Sequence, residues 1–172
     1  MIKSLSSIAL IAIIGLTFNI DVNGQKCKYQ LDKKDPMTGE RVRRTEVKIK
    51  NYFVISFYRK SDTYRVELNV RFVGERNFAV PKGEKLNLKL KDGSILTMEC
   101  AQNATPVSYV TSSQVMTLYA MSYICSKEDL QKIANTGFSV ASAKVGNETL
   151  TYEVKEKEIP KTAQKAKCIL IN

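Results

Sequence analysis

Across residues 42–125, apolar and polar residues alternate with period two between turn-forming residues. That period sends successive side chains to opposite faces and predicts half-buried antiparallel strands. It is clearest in Tyr64-Arg-Val66-Glu-Leu68-Asn-Val70-Arg-Phe72, where the five apolar residues share one face and Arg65, Glu67, Asn69 and Arg71 share the other. The first face is expected to pack and the second to be wet. Residues 52–58 are apolar on both sides, which predicts a central or doubly covered strand; Lys48, Lys50, Arg59 and Lys60 flank it and oppose edge aggregation.

Asp92-Gly93 predicts a hairpin. A two-residue turn would oppose Leu90 to Ile95 and place Leu86, Leu88 and Leu90 on the face of Thr97 and Glu99. A three-residue loop with Gly93 in the left-handed conformation opposes Leu90 to Ser94 and gathers Leu96, Met98 and Cys100 with the leucines. The second register keeps the apolar face continuous and is the expected one.

Residues 101–114 are polar and contain Pro106, so they read as a long loop around a short strand at residues 107–110, and residues 115–125 as another strand. Ser126-Lys-Glu-Asp129 has the form of a helix start, with Leu130, Ile133 and Ala134 as the apolar stripe and Asn135-Thr-Gly137 as the stop. Residues 138–145 and 148–154 form a hairpin around Gly146-Asn147, and residues 161–171 form either a short helix or a last strand. The order predicts an α+β fold: mainly an antiparallel β-sheet or sandwich, with one or two short helices in the C-terminal third.

The succession Lys-Cys27-Lys-Tyr29, Asp35-x-x-Thr38-Gly39, Lys-Asp92-Gly93 and Tyr123-x-x-Ser126-x-Glu-Asp-Leu130 resembles small exported β-rich proteins of unknown function of the Bacteroidota type. The resemblance spans most of residues 25–172. It implies a bacterial exported protein and supplies no catalytic residue.

The first residues agree with export. Residues 1–24 contain Lys3, an apolar run over residues 8–18, and Val22-Asn23-Gly24. This is the layout of a cleavable signal peptide ending at Gly24. An uncleaved anchor is the competing reading, but a spanning helix needs roughly 20 apolar residues. Residues 25–172 are then one β-rich domain, secreted or periplasmic, with no further transmembrane span expected.

Export changes what the four cysteines mean. Cys27, Cys100, Cys125 and Cys168 allow three pairings. Cys100–Cys125 and Cys27–Cys168 are the expected disulfides, because the first pair ends two apolar runs and the second ties the chain ends together; buried thiols are the alternative. The spacings lack the close pairs of a four-cysteine zinc site.

The chain has no His, which removes Ser-His-Asp and Cys-His catalysis and His-ligated zinc. It contains no phosphate-binding loop, no dinucleotide fingerprint and no nucleophile elbow. Asp32, Asp35 and Glu40 suggest a calcium loop, but Lys34 and Pro36 fall at alternate positions where oxygen ligands are needed, and a turn started by Asp35-Pro36 is expected instead. No metal or cofactor is expected. Asn103-Ala-Thr and Asn147-Glu-Thr match the N-glycosylation pattern, which bears on the reading only in a eukaryotic host.

Net charge is +10, with nine basic residues against four acidic ones in residues 26–50 and five against two in residues 155–168. A Cys27–Cys168 bridge would join these ends into one positive surface for anionic envelope components; the alternative is that the charge only keeps the protein soluble and blunts a strand edge. Lys26, Lys28, Arg41, Arg43, Arg44 and Lys48 are the candidate binding residues. Nucleic acid is disfavoured by export, and oligomeric state is left open. The expected function is a non-enzymatic binding or structural module of the bacterial envelope, engaging a protein or an anionic polymer. An inhibitor or immunity-type protein presenting residues 101–114 to an enzyme is the second reading, and a His-free carboxylate hydrolase the third.

Overall fold

The computed structural model describes residues 27–171. Its strands are β1 (Leu31–Lys34), β2 (Arg41–Lys50), β3 (Phe53–Lys60), β4 (Thr63–Val73), β5 (Lys85–Leu90), β6 (Ile95–Glu99), β7 (Val107–Val110), β8 (Val115–Cys125), β9 (Phe138–Val145) and β10 (Glu148–Glu153). Helix α1 (Lys127–Thr136) joins β8 to β9, and a 3-10 turn, Glu156–Glu158, leads into α2 (Ile159–Leu170). The leader-like residues 1–24 and Lys26 lie outside the described residues. No helix among the described residues is long and apolar enough to cross a membrane.

A curled six-stranded sheet in the order β1-β2-β3-β4-β8-β7 faces a four-stranded sheet in the order β10-β9-β5-β6. The pairings are antiparallel throughout, giving the α+β, sheet-dominated architecture that the alternation predicts. β3 lies between β2 and β4, as its two-sided apolar pattern requires, and Phe53, Ile55 and Phe57 are fully buried. They join one contiguous core with the leucines of β5, Phe138 of β9, Leu130 and Ile133 of α1, and Ile159 and Ile169 of α2. Burying each such side chain contributes about 1.5–3 kcal/mol, so strand phase alone decides which face turns inward.

The β5–β6 hairpin adopts the register that keeps its apolar face whole. Lys89 stands opposite Ile95, Leu90 N–H donates to Ser94 O at 2.8 Å, and Gly93 sits at φ +89°. The turn before β2 also forms as read, with Asp35 Oδ1 accepting from Met37 N at 2.8 Å and Thr38 N at 2.9 Å. Ser126 caps α1 through Asp129 N at 3.0 Å, and Leu130, Ile133 and Ala134 are buried beneath it. Residues 161–171, whose pattern suits either helix or strand, belong mostly to α2, with Pro160 in its first turn where a missing N–H costs nothing.

The expected disulfides divide. Cys27 and Cys168 are bridged. Cys100 and Cys125 are not: both are buried free thiols, donating to Gln102 O and Ser126 O respectively. The register is the reason. Cys100 faces Tyr123 across the junction of the two sheets, so Cys125 lies two residues further along β8. Diagonal neighbours in a sheet are roughly 7–8 Å apart, beyond the usual disulfide reach of about 4.4–6.8 Å between Cα atoms. Burial, with the Asp129 charge added, pushes the Cys125 thiol up to about 12, and the thiolate is the reactive form. Alkylation without reductant should therefore modify neither thiol in the folded protein and both after denaturation. A denatured chain that takes up no label would mean that the two are bridged.

Candidate functional site

The Cys27–Cys168 disulfide fastens the N-terminal segment alongside α2 and brings the two basic ends of the chain together. Tyr29 Oη donates to Cys168 O at 2.9 Å, and Lys165 Nζ donates to Lys28 O at 2.9 Å. Lys157, Lys161 and Lys165 recur every four residues along the entry turn and the helix, a spacing that stacks side chains on one helical face. Lys28 closes the arrangement from across the disulfide. The result is a cleft of about 480 Å³ lined by these four lysines with Pro160 and Gln164, and among the described residues no carboxylate lines it.

Like charges at this spacing repel, so something must hold them. Glu158 at the rim lies 3.3 Å from Lys161 and offsets part of the charge. Lys165 is only 9 % exposed, with its ammonium anchored on the Lys28 carbonyl, and the backbone carbonyl of Lys165 accepts from Thr45 Oγ1 at 2.8 Å. Burial first, then the neighbouring Lys161 and Lys28 charges, hold Lys165 below the ordinary lysine range, with Glu46 opposing. An anion in the cleft would relieve that repulsion.

The structure separates the residues that the charge count groups. Lys28 belongs to the cleft. Arg41 makes a bidentate pair with Asp32 at 2.6 and 2.7 Å. Arg43 is 6 % exposed and serves the fold: it points inward from β2 and donates to Ile171 O at the end of α2, where Arg59 also donates to Ile169 O and Ile171 O. These cations satisfy carbonyls that the last helical turn leaves without partners. Arg44 and Lys48 occupy the opposite face of the sheet, the face turned away from the core. The five candidates among the described residues therefore do not form one surface, and Lys26 lies outside those residues.

Lys157, Lys161 and Lys165 are the residues that the charge count left unnamed. Their four-residue spacing carries information only once residues 159–170 are known to be helical. Residues 101–114 place β7 at the edge of the six-stranded sheet, with Val107 and Val110 exposed. Glu46 and Glu67 both pair with Arg44, each at 3.7 Å. No known protein family, curated protein or solved structure matches the chain.

Proposed function

We propose that the protein is an exported, non-enzymatic binding module of a bacterial envelope, and that the cleft between its N-terminal segment and α2 holds a phosphorylated or sulfated polymer. The observation that carries this reading is the set of four lysines gathered by one disulfide around a cavity that no carboxylate lines among the described residues. An ammonium is a compact point charge that binds phosphate or sulfate from any direction, and several around one cleft suit a polyanion. The leader-like residues 1–24 and the disulfide support the location.

Binding to inorganic polyphosphate and to a sulfated polysaccharide should weaken as salt rises. Reversing Lys157→Glu and Lys161→Glu together should reduce affinity by at least about tenfold, since each lost or opposed charge contact is worth roughly 0.5–1 kcal/mol. The matched pair Lys85→Glu and Lys144→Glu, exposed on β5 and β9, makes the same change in net charge and should have little effect. Equal loss in both pairs would reduce the cleft to bulk electrostatics and end the proposal. A second reading, docking of a protein on the edge of β7, is favoured by exposed Val107 and Val110 and predicts capture that salt does not weaken.

A further inference from the structure

A second surface, independent of the lysine cleft, lies on the outward face of the six-stranded sheet. Cross-strand register sets Glu46, Ser56, Glu67 and Ser122 in one row across β2, β3, β4 and β8, and Lys48, Val54, Asn69 and Ala120 in the next. Arg71 and Leu118 stand opposite each other one row further on.

This face is more than a solvated back. Ser56 is 0 % exposed although it points away from the core, and its hydroxyl has no hydrogen-bond partner among the described residues. Ser122 Oγ and Arg44 Nε are also buried without a partner among the described residues. Arg44 reaches both Glu46 and Glu67, so its guanidinium spans the row that holds Ser56. Ser56 and Ser122 lie in the row beside a cavity and are not among the residues that line it; of that row, Glu46 reaches it, with Arg44 alongside.

That cavity, of about 480 Å³, is framed by residues of β2, β3, β4, β8 and the β2–β3 turn. Its volume is in the usual range for a small-molecule site, roughly 300–1,000 Å³. Three kinds of group line it. Arg44, Lys48 and Arg71 are cations, Asn51 and Asn69 bring amides beside the Glu46 carboxylate, and Val54 and Leu118 are apolar.

We propose that this cavity binds an acidic sugar residue, a hexuronic acid within an oligosaccharide. Guanidinium forks match the planar carboxylate bidentately. Each amide offers both a donor and an acceptor, the pairing that neighbouring hydroxyls need, and Glu46 accepts further hydroxyl protons. Val54 and Leu118, two strands and one row apart, match the C–H faces of successive rings. The lining carboxylate disfavours a phosphate dianion. An extended peptide adding as a strand would need a free strand edge, and β3 and β4, which carry Val54, Asn69 and Arg71, have neighbouring strands on both sides.

The test is calorimetric titration of the full chain with digalacturonate, the corresponding neutral digalactoside and inorganic phosphate. Saturable binding of digalacturonate alone is expected. Arg71→Ala and Asn69→Ala should each weaken it at least tenfold, and Lys48→Ala, on a side chain 77 % exposed and outside the core, should weaken it several-fold without touching stability. Lys157→Glu with Lys161→Glu should leave it unchanged, which separates this site from the lysine cleft. Equal affinity for the neutral sugar, preference for phosphate, or indifference to both Arg71→Ala and Lys48→Ala would overturn the assignment.

Discussion

Replacing Cys27 and Cys168 by serine should lower the unfolding free energy by about 4–5 kcal/mol, the chain-entropy value for a loop that closes nearly the whole domain. The bridge spans a sequence separation of 141 residues, and its loss would free the denatured chain from its largest constraint. Domains of this size are stable by about 5–15 kcal/mol, so the variant should remain folded but marginal. A urea titration checks this; an unchanged midpoint and slope would show that the bridge contributes no net stability. The same variant should bind polyphosphate more weakly than the parent. Without the bridge, residues 27–29 keep the Tyr29 and Lys28 hydrogen bonds to α2 and the packing of Tyr29 beneath Arg43, but Lys28 loses the covalent tie that fixes its place in the cleft. Stability and affinity should fall together on adding reductant to the parent protein, because the other two cysteines are already thiols.

That expectation rests on a pairing legible in the sequence only as one of three. What was readable was local. The phase of β4, the Gly93 hairpin register and the Ser126 cap follow from residues within about ten positions of one another, and each is found as read. What escaped was non-local. The strand ends at Cys100 and Cys125 are legible in the sequence, yet a two-residue offset between β6 and β8 decides whether they meet, and nothing near either cysteine encodes it.

Arg43 shows the same limit from the other side. Alternation puts it in the inward phase of β2 with Thr45 and Val47, where an apolar residue is the ordinary occupant. Inward cations are costly unless paired. Here the end of α2, more than a hundred residues away, supplies the carbonyls. A cation in an inward phase was therefore a sign of a distant helix end, but it reads as surface charge until α2 is placed. The lysine cleft depended on that same unassigned helix.

Gly137→Ala should be the most disruptive small substitution in the region that shapes the cleft, with a loss of about 2–6 kcal/mol when backbone strain of about 1–3 is added to crowding of similar size. Gly137 adopts φ 71° and ψ 175°, a conformation open almost only to glycine. A Cβ there would lie 2.6 Å from Ile159 O and 2.8 Å from both Ile159 Cγ2 and Thr162 Oγ1. A backbone carbonyl and a buried hydroxyl cannot swing aside as the tip of a long side chain would. Thr162 Oγ1 donates to Ile159 O at 2.7 Å and accepts from Phe138 N at 3.1 Å, so relieving the contact breaks the link that seats the start of α2 on β9. Gly74→Ala isolates the strain, since Gly74 has φ +86° but open space for 4 Å around the point a methyl would occupy, and it should cost about 1 kcal/mol. Moving the first turn of α2 displaces Lys161 and then Lys165, so polyphosphate affinity should drop in the Gly137 variant at temperatures where it is still folded. Thermal melts that place the two glycine variants together would remove the packing argument, and a destabilised Gly137→Ala protein with unaltered polyphosphate binding would show that the cleft does not depend on the seating of α2.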